Sequence, residues 1–278
     1  MKILVTGANG YIGTGVVKQL LEDNCDVVAC GRSASDVPQY IAVDIFEVLN
    51  PYEFFGEPDI LLHLAWQDGF KHSSNAHLDN LPKHYHFIEN MIKSGVKQVC
   101  VLGSVHEVGF YEGSVNENTP ANPQSLYGIS KNALRDATEL LCKNEGITYQ
   151  WIRGYYIVGN THHGCSIFSK ITEAEERGDR FFPFTQGKNQ FDFVDYDEFC
   201  RQVASVAEQN VVTGIINCCS GYPEKIGERV ERFIKENHYH ITLDYGKFPD
   251  RPYDSKAIWG DNRKISQIMN MRGQYVSQ

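Results

Sequence analysis

The sequence predicts an α/β protein built on a doubly wound parallel sheet, with a smaller lobe towards its C-terminal end. Three observations carry that expectation. Short apolar strands alternate with helical patterns through the first half of the chain. The first strand runs straight into a glycine-rich turn, Thr6-Gly7-Ala8-Asn9-Gly10-Tyr11-Ile12-Gly13. A Tyr-x-x-x-Lys step, Tyr127 to Lys131, falls on a later helix pattern.

The elements follow in order. Residues 2–6 (KILVT) read as a strand, Tyr11 to Glu22 as an amphipathic helix, and residues 26–30 (DVVAC) as strand two. Residues 40–43 and 59–64 are further strands, and a helix around 80–94 leads into the buried strand GVKQVCVLGS. Residues 126–144 are helical and 147–153 form a strand. After Gly159 the alternation weakens: 160–190 read as loop and helix. The strand–helix near 191–208 is expected to return to the main sheet, and 213–218 to add one more strand. The division expected is a dinucleotide-binding domain over 1–159 plus about 190–220, and a substrate lobe over about 160–189 and 221–278.

Composition narrows the partners. At 278 residues, with 42% hydrophobic and 22% charged residues, the chain suits one large globular domain with a small lobe. A formal charge of -9 argues against nucleic acid, whose phosphates favour a basic face. No apolar run approaches the ~18 residues of a membrane span. The start MKILVTGANG enters a strand directly and does not read as a signal peptide. Eight scattered cysteines without a C-x-x-C spacing fit reduced thiols in the cytoplasm, and no metal site is expected.

The glycine turn is built for an anion. Gly7 permits the tight turn from strand to helix, Gly10 lets the backbone approach a pyrophosphate, and Gly13 allows close helix packing. The helix N-terminus adds N–H donors and the positive end of its dipole. Dinucleotide binding is the expectation, with Asn9, Tyr11 and Ile12 in the same loop. The carboxylate that usually holds the adenosine ribose should end strand two, yet Cys30-Gly31-Arg32-Ser33 stands there. Arg32 and Ser33 suit a 2′-phosphate, so NADPH is the expected cofactor, with NAD as the alternative.

The catalytic candidates are Ser104, Tyr127 and Lys131. Four residues on a helix put Tyr127 and Lys131 on one face, a turn apart. A phenol with a pKa near 10 is a poor acid or base at neutral pH without a neighbouring charge, and a lysine ammonium supplies one. Lys131 can also bond the nicotinamide ribose. Ser104, ending its strand, would hold the substrate oxygen beside Tyr127.

With its G-x-x-G-x-x-G spacing and this Ser–Tyr–Lys set, the chain resembles the extended short-chain dehydrogenase/reductases of the NAD-dependent epimerase/dehydratase family, which have a Rossmann fold. The resemblance covers most of the chain, through Asn80, Gly109, Arg153, Gly159, the stretch Phe191 to Asp197, and Asn217 to Gly221. It implies that Asp44 and Ile45 meet the adenine, and that Leu64, Ala65 and Trp66 line the cofactor's phosphates and ribose. Tyr155 is implied as a further cofactor contact. Arg251-Pro252-Tyr253-Asp254 resembles the family's Arg-Pro-Gly-Asp, whose arginine holds a nucleotide-sugar diphosphate. Arg251, Asp254 and His106 are thereby implied as substrate contacts. The activity implied is an NADPH-dependent reduction of a nucleotide-linked 4-keto-6-deoxyhexose, most like the dTDP-linked reductases. A 4-epimerase with tightly held NAD and a non-catalytic dinucleotide sensor are the alternatives. Val105 and His106 occupy the places where family dehydratases carry an Asp-Glu pair, which argues against dehydration. A homodimer stays open.

Overall fold

The computed structural model describes residues 1–249 and 254–276. Its first half builds the predicted sheet. Strands β1 (Lys2–Thr6), β2 (Asp26–Gly31), β3 (Tyr40–Ala42), β4 (Ile60–His63) and β5 (Gln98–Ser104) come in turn. Helices α1 (Gly13–Glu22), α2 (Pro51–Phe54) and α3 (Ala76–Ser94) lie between them. Next are β6 (Gly113–Val115), α4 (Leu126–Glu145), β7 (Thr148–Gly154), β8 (Tyr156–Val158) and α5 (Ile167–Glu176). The remainder runs β9 (Phe181–Phe184), β10 (Gln190–Asp195), α6 (Tyr196–Ala207), β11 (Gly214–Cys218), β12 (Pro223–Lys225), α7 (Ile226–Glu236), β13 (Thr242–Tyr245), β14 (Ala257–Gly260) and α8 (Arg263–Val276).

Seven strands form one sheet in the order β11-β7-β5-β4-β1-β2-β3, and each pair in it is parallel. Strand order reverses between β1 and β4, and in open parallel sheets that switch opens a crevice for ligands at the strand C-termini. The sheet is covered on both faces, so its strands are apolar on both. Along β1, Ile3 and Val5 face a core completed by Val16 and Leu20 of α1, Phe199 and Val203 of α6, and Ile268 of α8. Leu4 faces the other core, with Ile88 of α3 and Leu134 of α4.

The strand near 191 departs from expectation. β10 does not join the main sheet; it pairs with β8, β12 and β14 in a smaller sheet. Its alternation suits either sheet, and the choice is made by its register against Tyr156–Val158 and Ala257–Ile258. Only the helix that follows, α6, returns to the main sheet. The tail also divides: Ile265 and Ile268 of α8 pack into the first core rather than into a lobe. A separate core beneath α5 and α7 contains Phe168, Ile171, Phe184, Val230 and Phe233. No helix among the described residues is long and apolar enough to cross a membrane.

Candidate active site

At the crevice the glycine turn is fixed by sterics. Gly7 has a φ of +69°, and a Cβ there would stand 2.8 Å from the Ala65 backbone. A Cβ on Gly13 would lie 2.1 Å from the Gly7 carbonyl oxygen. Both positions therefore exclude any side chain. Gly10 differs: a Cβ would meet only that same carbonyl oxygen, at 3.2 Å, and otherwise open space. Of the three glycines, Gly10 is the one with free space beside it. α1 begins at Gly13 with no side-chain cap on Ile12 and no acidic residue in its first turn, which leaves its dipole to an anion. Tyr11 pins the turn, its hydroxyl donating to the Gly159 carbonyl at 2.9 Å and its carbonyl accepting from Tyr196 and Asn160. These residues fit a dinucleotide.

Past β2, Asn9 donates to the Ser33 carbonyl and hydroxyl at 3.1 and 2.8 Å, and Tyr40 donates to the same carbonyl. Arg32 is exposed beside them and has no ion pair among the described residues. Asp44 accepts from the Phe46 N–H, capping a short turn in which Ile45 is buried. Leu64 is buried, and Ala65 abuts Gly7.

Ser104 ends β5 and caps the turn Val105–Glu107, its hydroxyl accepting from the His106 N–H at 3.3 Å. Tyr127 sits in the first turn of α4, whose N-cap Ser125 accepts from Gly128 N–H at 3.1 Å. The Tyr127 N–H donates to the His72 carbonyl, and the His72 ring lies parallel to the phenol with centroids 5.0 Å apart. His77 and His106 complete a ring of imidazoles, with centroids 5.3 and 6.0 Å from Tyr127. Burial raises the Tyr127 pKa above its ordinary value, a hydrogen bond with Ser104 opposes this, and the charge of Glu107 adds to it.

Lys131 is 2% exposed. Its ammonium donates to the Leu102 carbonyl at 2.6 Å and lies 3.8 Å from the centroid of the Trp66 ring. Burial lowers its pKa to about 7, opposed by Glu107. Glu107 is the charge that bears on both side chains, raising Tyr127 and opposing the fall of Lys131. Behind Trp66, His84 stacks at 4.5 Å and bonds His63 at 2.8 Å, and His63 meets the Thr6 hydroxyl at 2.9 Å. Burial lowers the His63 pKa to about 3 and puts His84 well below its usual value, so both are neutral.

The structure thus gathers Ser104, Tyr127, Lys131, His106 and Trp66 at one end of the crevice. Tyr155 is elsewhere: it is 7% exposed in the apolar cluster beneath the small sheet, with Phe191 and Ile258. Its hydroxyl has no partner among the described residues. A cofactor contact from Tyr155 would have to come from its backbone, because the side chain is spent on packing. Asp254 is half-buried on the approach to β14. Arg251 lies outside the described residues. No cluster of metal-ligating side chains occurs among the described residues; His84 is occupied by His63, and exposed His86 by Glu89. Sequence reasoning gave no role to Glu107 or to the His72 and His77 rings. For Glu107 a signal was present: Ser104-x-x-Glu107 is the spacing of a capping box.

A glycine cradle at a switch point, with Ser104, Tyr127 and Lys131 gathered in the same crevice, defines an oxidoreductase-type enzyme of dinucleotide-binding fold. A family model described as the NAD dependent epimerase/dehydratase family matches residues 3–219, and the chain belongs to that family. It is similar to a protein named dTDP-6-deoxy-L-talose 4-dehydrogenase (NAD(+)) from Aggregatibacter actinomycetemcomitans, 39% identical over 94% of this chain and 99% of that one. UDP-arabinose 4-epimerase 1 of Arabidopsis thaliana is 23% identical over 99% of this chain and 76% of its own. Among solved structures, a UDP-glucuronic acid 4-epimerase from Bacillus cereus, in complex with UDP-glucuronic acid and NAD, has a TM-score of 0.82 at 20% identity. That likeness covers 97% of this chain and 93% of the other.

Proposed function

We propose that the protein reduces the C4 ketone of a nucleotide-linked 4-keto-6-deoxyhexose with NADPH. The observation that carries this reading is the 39% relative, matched along nearly its whole length. Removing hydrogen from C4 of a 6-deoxyhexose gives a 4-keto-6-deoxyhexose, so the reduction is that reaction run backwards. A dinucleotide held at the glycine turn would supply the hydride to C4. Ser104 holds the ketone oxygen, and Tyr127 gives it a proton as the C=O becomes CH–OH. The phenolate left behind recovers a proton from water. Lys131 leaves Leu102 and Trp66 to hold the nicotinamide ribose.

Exposed Arg32 meets the 2′-phosphate and makes NADPH the better cofactor. Arg251 and Asp254, with His106, hold the nucleotide-sugar. The substrate lobe comprises residues 160–195 and 221–260, with α8 assigned to the dinucleotide domain. The setting is the cytoplasm, where the thiols stay reduced.

Purified protein incubated with dTDP-4-keto-6-deoxyglucose and NADPH tests the reading, and consumption of both is expected. No NADPH oxidation with that ketone overturns it, and dehydration of dTDP-glucose would contradict the loss of the acid–base pair at Val105. A second reading, a nucleotide-sugar 4-epimerase, is favoured by the epimerases among its relatives and neighbours. NAD co-purifying with the protein would turn the assignment that way.

A further inference from the structure

Glu107 is wholly buried, at 0% exposure, and no step of the proton transfer uses it. A carboxylate in such a place is tolerated only with partners. It accepts the Ser104 N–H at 2.5 Å and the Trp151 indole N–H at 2.9 Å. Arg135 of α4 and Arg153 of β7 each stand 3.6 Å away. Room for this cluster comes from Gly103, where a Cβ would lie 2.0 Å from the indole nitrogen and 2.4 Å from the carboxylate. Arg135 is one helical turn beyond Lys131, on the face that carries the catalytic pair. Gly128 brings that helix against the turn: a Cβ there would lie 2.4 Å from the His106 carbonyl oxygen.

We propose that Glu107 is a positioning residue of the active site. It locks the Ser104 turn to the helix bearing Tyr127 and Lys131, and supplies a buried negative charge that favours the Lys131 ammonium. The inference rests on Ser104, Tyr127 and Lys131 being the working triad. Few other groups compete for that ammonium. His63 of β4 and His84 of α3 feel its charge, but burial keeps both neutral. Leu102 of β5 offers only a carbonyl and Trp66 a ring face. Glu107 itself faces Arg135, Arg153, Tyr127, Tyr149 and Tyr155.

The test needs no substrate. An ammonium over an indole perturbs its emission, so tryptophan fluorescence followed against pH reports Lys131 through Trp66. The relevant inflection is the one lost in both Lys131→Met and Trp66→Phe. In Glu107→Gln, which keeps the shape and removes the charge, its midpoint is expected to fall by about one pH unit. If that variant does not fold, Glu107→Gln/Arg153→Met removes both members of the buried pair, which costs less than removing one; the midpoint is then expected to fall by less, because a positive charge leaves with the negative one. A midpoint that stays put or rises, or no Lys131-dependent inflection in the unmodified protein, overturns the inference. Tyr127→Phe, assayed with dTDP-4-keto-6-deoxyglucose and NADPH, judges the triad separately: retained activity there sinks the triad reading, whatever the fluorescence shows.

Discussion

At the phosphate end of the crevice the chain works with backbone and with missing side chains. Gly7 and Gly13 are compelled by contacts of 2.8 and 2.1 Å, and Gly10 is left open for the ligand. At the end where Ser104, Tyr127 and Lys131 gather the reverse holds: Lys131, Glu107 and the paired His63 and His84 are polar side chains held away from water, with Tyr127 half-buried beside them. The first end is specified by shape, within one stretch of chain. The second depends on charges whose balance is set by residues from β4, β5, α3, α4 and β7. A shape-built site should fail abruptly when a methyl group is added, whereas a charge-built site should shift with pH and with each neutralised partner.

Tyr127→Phe sharpens this contrast most. It keeps the ring between His72 and His77 and deletes only the hydroxyl, so turnover should fall by ~10² or more while dinucleotide affinity holds. Steady-state rates together with a binding titration separate the two effects. A variant that keeps most of its activity would assign the proton to another group.

Gly13→Ala should strike the other end. Its Cβ would collide with the Gly7 carbonyl, and overpacking of that kind costs about 1–3 kcal/mol. Dinucleotide affinity should drop by roughly ten-fold or more, with little dependence on pH. Gly10→Ala, with its nearest protein neighbour at 3.2 Å, should fold as well as the unmodified protein and lose affinity only. Equal thermal stability of the two alanine variants would erase the distinction between a packed glycine and an open one.

Acid should expose the catalytic end. His63 is pushed down to about 3 by burial, with help from the Lys131 charge. Between pH 6.5 and 3 the unfolded chain therefore binds a proton that the folded one refuses, and stability is lost as pH falls. The slope is about 1.4 kcal/mol per pH unit for such a histidine. Urea unfolding at several pH values should show a shallower decline in His63→Gln than in the unmodified protein. Parallel declines would place the acid sensitivity elsewhere.

The smallest effect belongs to Arg32→Ala. An exposed arginine meeting a 2′-phosphate is worth roughly 1 kcal/mol, so the preference for NADPH over NADH should shrink about five-fold. Kinetics with each cofactor decide it, and a protein already better with NADH would remove the role of Arg32 altogether.

Legibility in the sequence follows the same division. The glycine turn, the strand ends and the Tyr127–Lys131 step are local patterns, and each lies where its spacing puts it. Glu107 meets Trp151 across 44 positions and His63 meets His84 across 21, distances at which periodicity carries no signal. β10 was legible as a strand but not in its sheet, because Phe191 and Val194 are buried in either setting. Tyr155 sat beside the right strand end and turned inward, a rotation that no spacing records.

The return of α8 to the first core bears on how the chain is made. Six of the seven sheet strands are complete by Gly154, yet α6 and α8, which help cover one face, are drawn from residues 196–276. At roughly 5–20 residues per second, synthesis leaves much of that apolar face bare for about 6–24 seconds after β7 emerges. Nascent chains halted between Gly154 and Arg263 should therefore be the ones that chaperones hold longest.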